Sequence, residues 1–359
     1  MADRKAKVIP LHSDSDQTRD RKKGSGQHQD DPGPVRPTEG SQRCDPGRDR
    51  PDLPGPDEPG PDAVVRNLHP HRGGAEFGDS DVVRRIAGMA DFLRQRMAGD
   101  YDVDEFGFDP HYNEAVILPV LRVLYDTWFR VDVSGLENIP DSGAALIVAN
   151  HAGTLPIDGL MLSVAVRDHH PAQRNLRLLA ADVLFDMPVF APLARRAGHT
   201  LACTADANRL LNAGELAAVF PEGYKGLGKN FRDRYKLQRF GRGGFVAAAM
   251  RSKAPIIPCS IMGSEEIYPM LADLPIVARL LGIPYFPITP LFPFAGPLGL
   301  IPLPTKWSIA FGAPIDTAGF DQSSADDPMV TFELTDQVRE TIQATLFTQL
   351  AQRRNVFLG

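Results

Sequence analysis

"AALIVANHAGTLPIDGLMLSVAV", residues 144–166, divides into three pieces. Residues 144–150 are an apolar run broken only at Asn150, the pattern of a strand buried on both faces of a parallel sheet. Residues 157–166 have the composition of a helix. Between them, "HAGTLP" ends the strand at His151 and turns the chain. Gly153 allows a tight turn close to whatever the site binds. Thr154 is expected to cap the helix, with Pro156 in its first turn, carrying Asp158 back towards His151. A lone histidine after a strand is usually structural, so the meaning of His151 depends on the rest of the chain.

The same alternation continues outward. "FRVDVSG", "NLRLLAA", "HTLACT", "ELAAVF", "APIIPCSIMG" and "KWSIAFG" read as further strands. "DANRLLNAG" and "GRGGFVAAAMRS" read as helices, and "PVFAPLARRAG" as a helix or loop. Apolar strands between short helices indicate an α/β fold with a mostly parallel central sheet flanked by helices. The expected organisation is a disordered Pro/Gly-rich tail (1–75), N-terminal amphipathic and apolar helices (76–130), the sheet domain (131–325) and a C-terminal amphipathic helix (326–359). The tail is nearly free of large apolar side chains and cannot bury enough surface to offset the entropy of ordering. Val83, Ile86, Met89 or Ala90, Leu93 and Met97 fall at helical spacing. A second helix, "YNEAVILPVLRVLYDTWF", is apolar on most of its circumference, contains Pro119, and suits a core or a membrane interface. The last helix presents Leu334, Val338, Ile342, Leu346 and Leu350 on one face.

Hydrophobic content of 43% fits a globular chain, and a net charge of -6 argues against a nucleic-acid partner. Cys44, Cys203 and Cys259 have no zinc-site or disulfide spacing and read as free thiols of a reducing compartment. The first residues lack the apolar core of a signal peptide, so the expected location is the cytoplasm.

Ligands of open α/β sheets bind beyond the carboxyl ends of the strands. Three strands of this chain end in polar groups: at His151, at "FPEGYKG" (220–226), and at Ser264 and Glu265. "NHAGTLPIDG", "FPEGYKG" and "APIIPCSI", in that order, resemble the first, third and fourth blocks of the glycerolipid acyltransferase superfamily, over roughly residues 100–320. The resemblance implies that His151 acts as general base on an acceptor hydroxyl, which attacks an acyl thioester, and that Asp158 orients the ring. It also implies substrate-binding roles for Gly153, Thr154, Glu222, Gly223 and Lys225, with Pro258 at a strand end shaping the site. In the alternative reading, Asp158 is only a first-turn charge favoured by the helix dipole. The spacer between His151 and Asp158 is six residues, where the commonest family pattern has four.

The second block departs from the family pattern. Ala205 stands where an arginine usually grips the acceptor's phosphate, and the next arginine is Arg209. Lys225 replaces another usual arginine and offers a point charge without a bidentate fork. From 225 to 242, Lys225, Lys229, Arg232, Arg234, Lys236, Arg239 and Arg242 face a single Asp233. Arg232, Arg234 and Lys236 are therefore candidates for phosphates of coenzyme A, of an acyl carrier protein or of lipid headgroups. Residues 280–305 carry no charge and seven prolines, which exclude a regular spanning helix. They suit an acyl-chain cleft or an apolar patch dipping into a bilayer. The combined expectation is a monotopic O-acyltransferase on the inner face of the cell membrane. It would use acyl-CoA or acyl-ACP as co-substrate, with no metal or bound cofactor. The rival readings are a lipid hydrolase using the same histidine and a non-catalytic lipid-binding or remodelling protein.

Overall fold

A computed structural model of the chain describes residues 88, 90, 92–99, 101–241, 243–281 and 285–359. The expected tail, most of the expected first helix (Val83, Ile86 and Met89 among it), Cys44, Arg242 and residues 282–284 lie outside the described residues.

Nine strands are present among them: β1 Asp132–Ser134, β2 Ala145–Ala149, β3 Leu176–Ala180, β4 Thr200–Leu201, β5 Leu216–Val219, β6 Ile256–Met262, β7 Ala272–Asp273, β8 Pro287–Ile288 and β9 Ser308–Phe311. Seven form one sheet in the order β1-β9-β6-β2-β5-β3-β4. All its pairings are parallel except β6 with β9. β7 and β8 form a separate antiparallel pair.

β2 lies inside the sheet between β5 and β6, and every one of its residues is buried. Its side chains alternate between two cores, as the twofold period of a strand requires. Ala145, Ile147 and Ala149 join the core under helix Ile157–His169 and helical residues 110–128. Leu146 and Val148 join the core under helices Thr204–Asn212, Gly244–Ser252 and Pro328–Gln352. This layering explains why β2 reads as an unbroken apolar run.

The last helix places Leu334, Val338, Ile342 and Leu346 in the core, but Leu350 is exposed, so the buried stripe ends one turn early. Leu93 and Met97, expected on a packed face, are exposed as well. "HTLACT" yields only the two-residue β4, at the sheet's edge. Residues 110–128 are helical with π turns on either side of Leu118–Arg122, where Pro119 cannot donate to an α-helical ladder. Leu118, Leu121 and Tyr125 of this run are buried while Val120 and Val123 face out, so it is a core helix with an apolar outer face. Arg122 ties it to Asp168 at 2.6 Å, on helix Ile157–His169. No helix among the described residues is long and apolar enough to cross a membrane.

Candidate active site

Because β2 runs parallel to both β5 and β6, their carboxyl ends share one edge. The residues following β2 are Asn150 and His151, those following β5 are Phe220 to Gly223, and those following β6 are Gly263 to Glu266. Asn150 is wholly buried and extends the ladder with its side chain: its Nδ2 donates to the Ile261 carbonyl at 2.9 Å, and its Oδ1 accepts from the Ile261 N–H at 2.7 Å. An amide has the donor and acceptor needed to imitate a peptide group, which accounts for asparagine immediately before the histidine.

His151 Nδ1 lies 2.7 Å from Asp158 Oδ2. A carboxylate only accepts, so the proton is assigned to Nδ1, leaving Nε2 as the basic nitrogen. No described residue hydrogen-bonds to Nε2. Asp158 is fully buried at the start of helix Ile157–His169. Its Oδ2 also accepts from the Ala152 N–H and its Oδ1 from the Gly159 N–H, both at 2.9 Å. The ring stacks at a tilt on Phe220, with centroids 4.5 Å apart. The six-residue spacer therefore closes the pair, but not by way of a threonine cap. Pro156, rather than Thr154, occupies the cap position, and no side chain caps the helix. Gly153 and Thr154 both take positive φ, at 99° and 65°. Thr154 Oγ1 donates to the Tyr268 carbonyl at 3.3 Å, and the Tyr285 hydroxyl donates to the Thr154 carbonyl. The turn is thus held by Tyr268, just after β6, and by Tyr285 of the proline-rich segment.

Glu222 is buried and turned inward. Oε1 accepts from the His151 N–H at 3.0 Å, and Oε2 from the Gln238 N–H at 2.6 Å. It shapes the site by holding the histidine's main chain, and its carboxylate is occupied. Gly223 adopts φ 54° and ψ −143° before the short helix Tyr224–Leu227. Gly226 of that helix lies so near His151 that a Cβ would meet the His151 carbonyl oxygen at 2.5 Å.

Lys225, Arg232, Arg234 and Lys236 are exposed, and none hydrogen-bonds to His151, Asp158 or Glu222. Arg232 and Lys236 flank Asp233, and Arg234 covers the Phe231 ring. Lys229 does not belong to this solvated group. Its ammonium is buried, 3.1 Å from Glu265 and 3.5 Å from Glu222. Burial pushes the Glu265 carboxyl up to about 7, against the opposing pull of Lys229. Nothing in the local sequence separates Lys229 from its exposed neighbours. Arg209 pairs with Glu105 and Asp206 on the outer helix Thr204–Asn212, and the second-block strand β4 is separated from β5 by β3. Pro258 is the third residue of β6, opposite Val148, and lies inside the sheet rather than at a strand end.

Beside the His151 turn, the proline-rich segment lines two adjoining apolar clefts. One, of about 190 Å³, is bounded by Ile267, Tyr268, Leu291, Ile301 and Leu303. The other, about 40 Å³, is bounded by Thr154, Leu155, Tyr268, Phe292 and Leu300. The same segment leaves Phe294, Leu298 and Leu300 exposed.

Residues 130–262 match the family model described as Acyltransferase, an interval running from β1 to the end of β6. "Uncharacterized protein Rv0502" of Mycobacterium tuberculosis is 67% identical over 304 residues, covering 83% of this chain and 85% of that protein. The human "DGAT1/2-independent enzyme synthesizing storage lipids" is 26% identical over 225 residues, 61% of each chain. Among solved structures, the 1-acyl-sn-glycerophosphate (LPA) acyltransferase PlsC from Thermotoga maritima aligns with a TM-score of 0.45 at 19% identity, over 76% of this chain and 98% of that one.

Proposed function

From the match of residues 130–262 to the Acyltransferase family model, we propose that the chain is a member of the glycerolipid acyltransferase superfamily that moves a fatty acyl chain from a thioester donor, acyl-CoA or acyl-ACP, to a hydroxyl of a glycerolipid-like acceptor. The observation that carries the mechanism is the 2.7 Å contact between His151 Nδ1 and the buried Asp158, at the carboxyl end of β2. Nε2 takes the acceptor's hydroxyl proton as the oxygen attacks the thioester carbonyl carbon. The tetrahedral intermediate then collapses, the C–S bond breaks, and the imidazolium returns the proton to the departing thiolate. Asp158 fixes the tautomer and stabilises the imidazolium. Gly153 and Gly226 give close packing around the base, Glu222 fixes its main chain, and the apolar clefts supply a path for an acyl tail.

The acceptor need not carry a phosphate. Ala205 offers no cation, Arg209 is engaged with carboxylates on an outer helix, and Lys225 contributes one exposed point charge. The likeness to an enzyme whose name specifies storage-lipid synthesis supports the same direction. Arg232, Arg234 and Lys236 are then available to donor phosphates or lipid headgroups. The exposed apolar side chains around residues 271–301 support docking on a membrane surface without a span.

The test is an assay of one labelled acyl-CoA and one labelled acyl-ACP against phosphorylated and neutral glycerolipid acceptors. Acyl ester formed only with an acceptor present supports transfer. Release of free fatty acid at an equal rate without acceptor would favour a hydrolase.

A further inference from the structure

The base is supported by a buried charge cluster that none of the motif blocks contains in full. We propose that Lys229 is a positioning residue for His151, acting through Glu222 and held in place by Glu265. This rests on the assignment of His151 as the base. The Lys229 side chain is 3% exposed, so its ammonium has exchanged water for two carboxylates, at 3.1 Å (Glu265) and 3.5 Å (Glu222). A buried ammonium is costly unless paired, and two buried carboxylates repel each other unless a cation lies between them. Glu222, with one oxygen on the His151 N–H and the other on the Gln238 N–H, joins the end of β2 to the loop after the short helix Tyr224–Leu227. Lys229 therefore sets the charge balance of the group that holds the main chain of the base.

The surroundings leave few other groups to take this role. The charged groups facing Glu265 are Lys229 and Glu222, and the Tyr235 main chain also hydrogen-bonds to it. Glu266, next in sequence, is engaged with the Tyr235 hydroxyl and Arg353. Burial is the main cause of the elevated Glu265 carboxyl; Lys229 opposes it and Glu222 adds the smallest contribution.

The experiment compares Lys229→Met and Lys229→Met/Glu265→Gln with the full-length wild type, and uses His151→Ala as a control. Tm, kcat, and KM for donor and acceptor are measured. In Lys229→Met, kcat is expected to fall at least tenfold with both KM values within about twofold. The double variant removes the second anion, so Tm should recover while kcat stays low. Lys229→Gln carries the same kcat expectation and keeps a hydrogen-bond donor should the methionine variant not fold. Wild-type kcat in Lys229→Met or Lys229→Gln, or a kcat that recovers in step with Tm, overturns the proposal. Wild-type turnover in His151→Ala instead overturns the assignment of the base, so the two failures are distinguishable.

Discussion

The chemistry depends on how two carboxylates are used around one imidazole. Asp158 receives the ring and two main-chain N–H groups, so its removal disturbs both the tautomer and the turn. Asp158→Asn keeps the shape but presents a neutral amide to Nδ1, and kcat/KM should fall less than on loss of the base itself, measured by initial rates. Glu265 gives a second residue-level expectation. Its carboxyl is raised from 4.5 to about 7, so between those values the unfolded chain releases a proton that the folded chain retains. Stability should therefore fall as pH rises from 4.5 to 7 and level off above, by on the order of 3 kcal/mol for this group. Denaturant unfolding across that range should show a steeper fall for wild type than for Glu265→Gln, and parallel curves would contradict the assignment. The sequence singled out His151, Asp158 and Glu222. It did not distinguish Lys229 from the cations around it, because burial depends on where β5 and β6 bring their loops, and local composition does not encode that.

At the scale of elements, the long apolar run of β2 revealed the parallel sheet because helices cover both faces. The run also marked where the site begins, since a strand flanked by two parallel neighbours places three loops on one edge. What local pattern could not give was the reach of each element. Leu350 has the spacing of a core residue but is exposed, while Gln349 and Arg353 on either side of it bond back to Ser308 and Glu266, and β4 shrinks to two residues at an edge with one partner. Thr154 has the chemistry of a cap, but its positive φ and its bond to Tyr268 assign it to the turn. Close packing of that turn is testable. A Cβ at Gly226 would meet the His151 carbonyl oxygen at 2.5 Å and Glu222 Cβ at 2.8 Å. Gly226→Ala should cost about 1–3 kcal/mol of stability as overpacking and lower kcat by displacing the base, read from thermal melts and turnover of the folded fraction.

For the molecule as a whole, the proline-rich segment after β7 contributes both an apolar cleft and an exposed apolar rim. Ile276, Leu280 and Phe294 are each more than 80% exposed and lie in or beside it. Their simultaneous replacement by serine should reduce sedimentation with liposomes while leaving the far-UV spectrum unchanged, and unchanged sedimentation would assign membrane contact elsewhere. If the proposed membrane contact is peripheral, alkaline carbonate should release the wild-type protein from membranes, and retention in the pellet would contradict it. Acceptor choice is also a property of the assembled surface. With Lys225 as the one cation of the third block and no second-block arginine, the ratio of kcat/KM for a lysophosphatidate over a matched monoacylglycerol should be about ten to a hundred at most, since one charge-assisted bond supplies about 1.5–3 kcal/mol. A ratio above about a thousand would reveal a phosphate grip supplied by other residues.

The most direct test of the central claim is the rate of labelled acyl transfer to a hydroxyl acceptor by His151→Ala, with folding verified by its thermal melt. Loss of the general base predicts a fall of about 10²- to 10⁴-fold in kcat/KM with an intact fold. Transfer at the wild-type rate by the folded variant would contradict it.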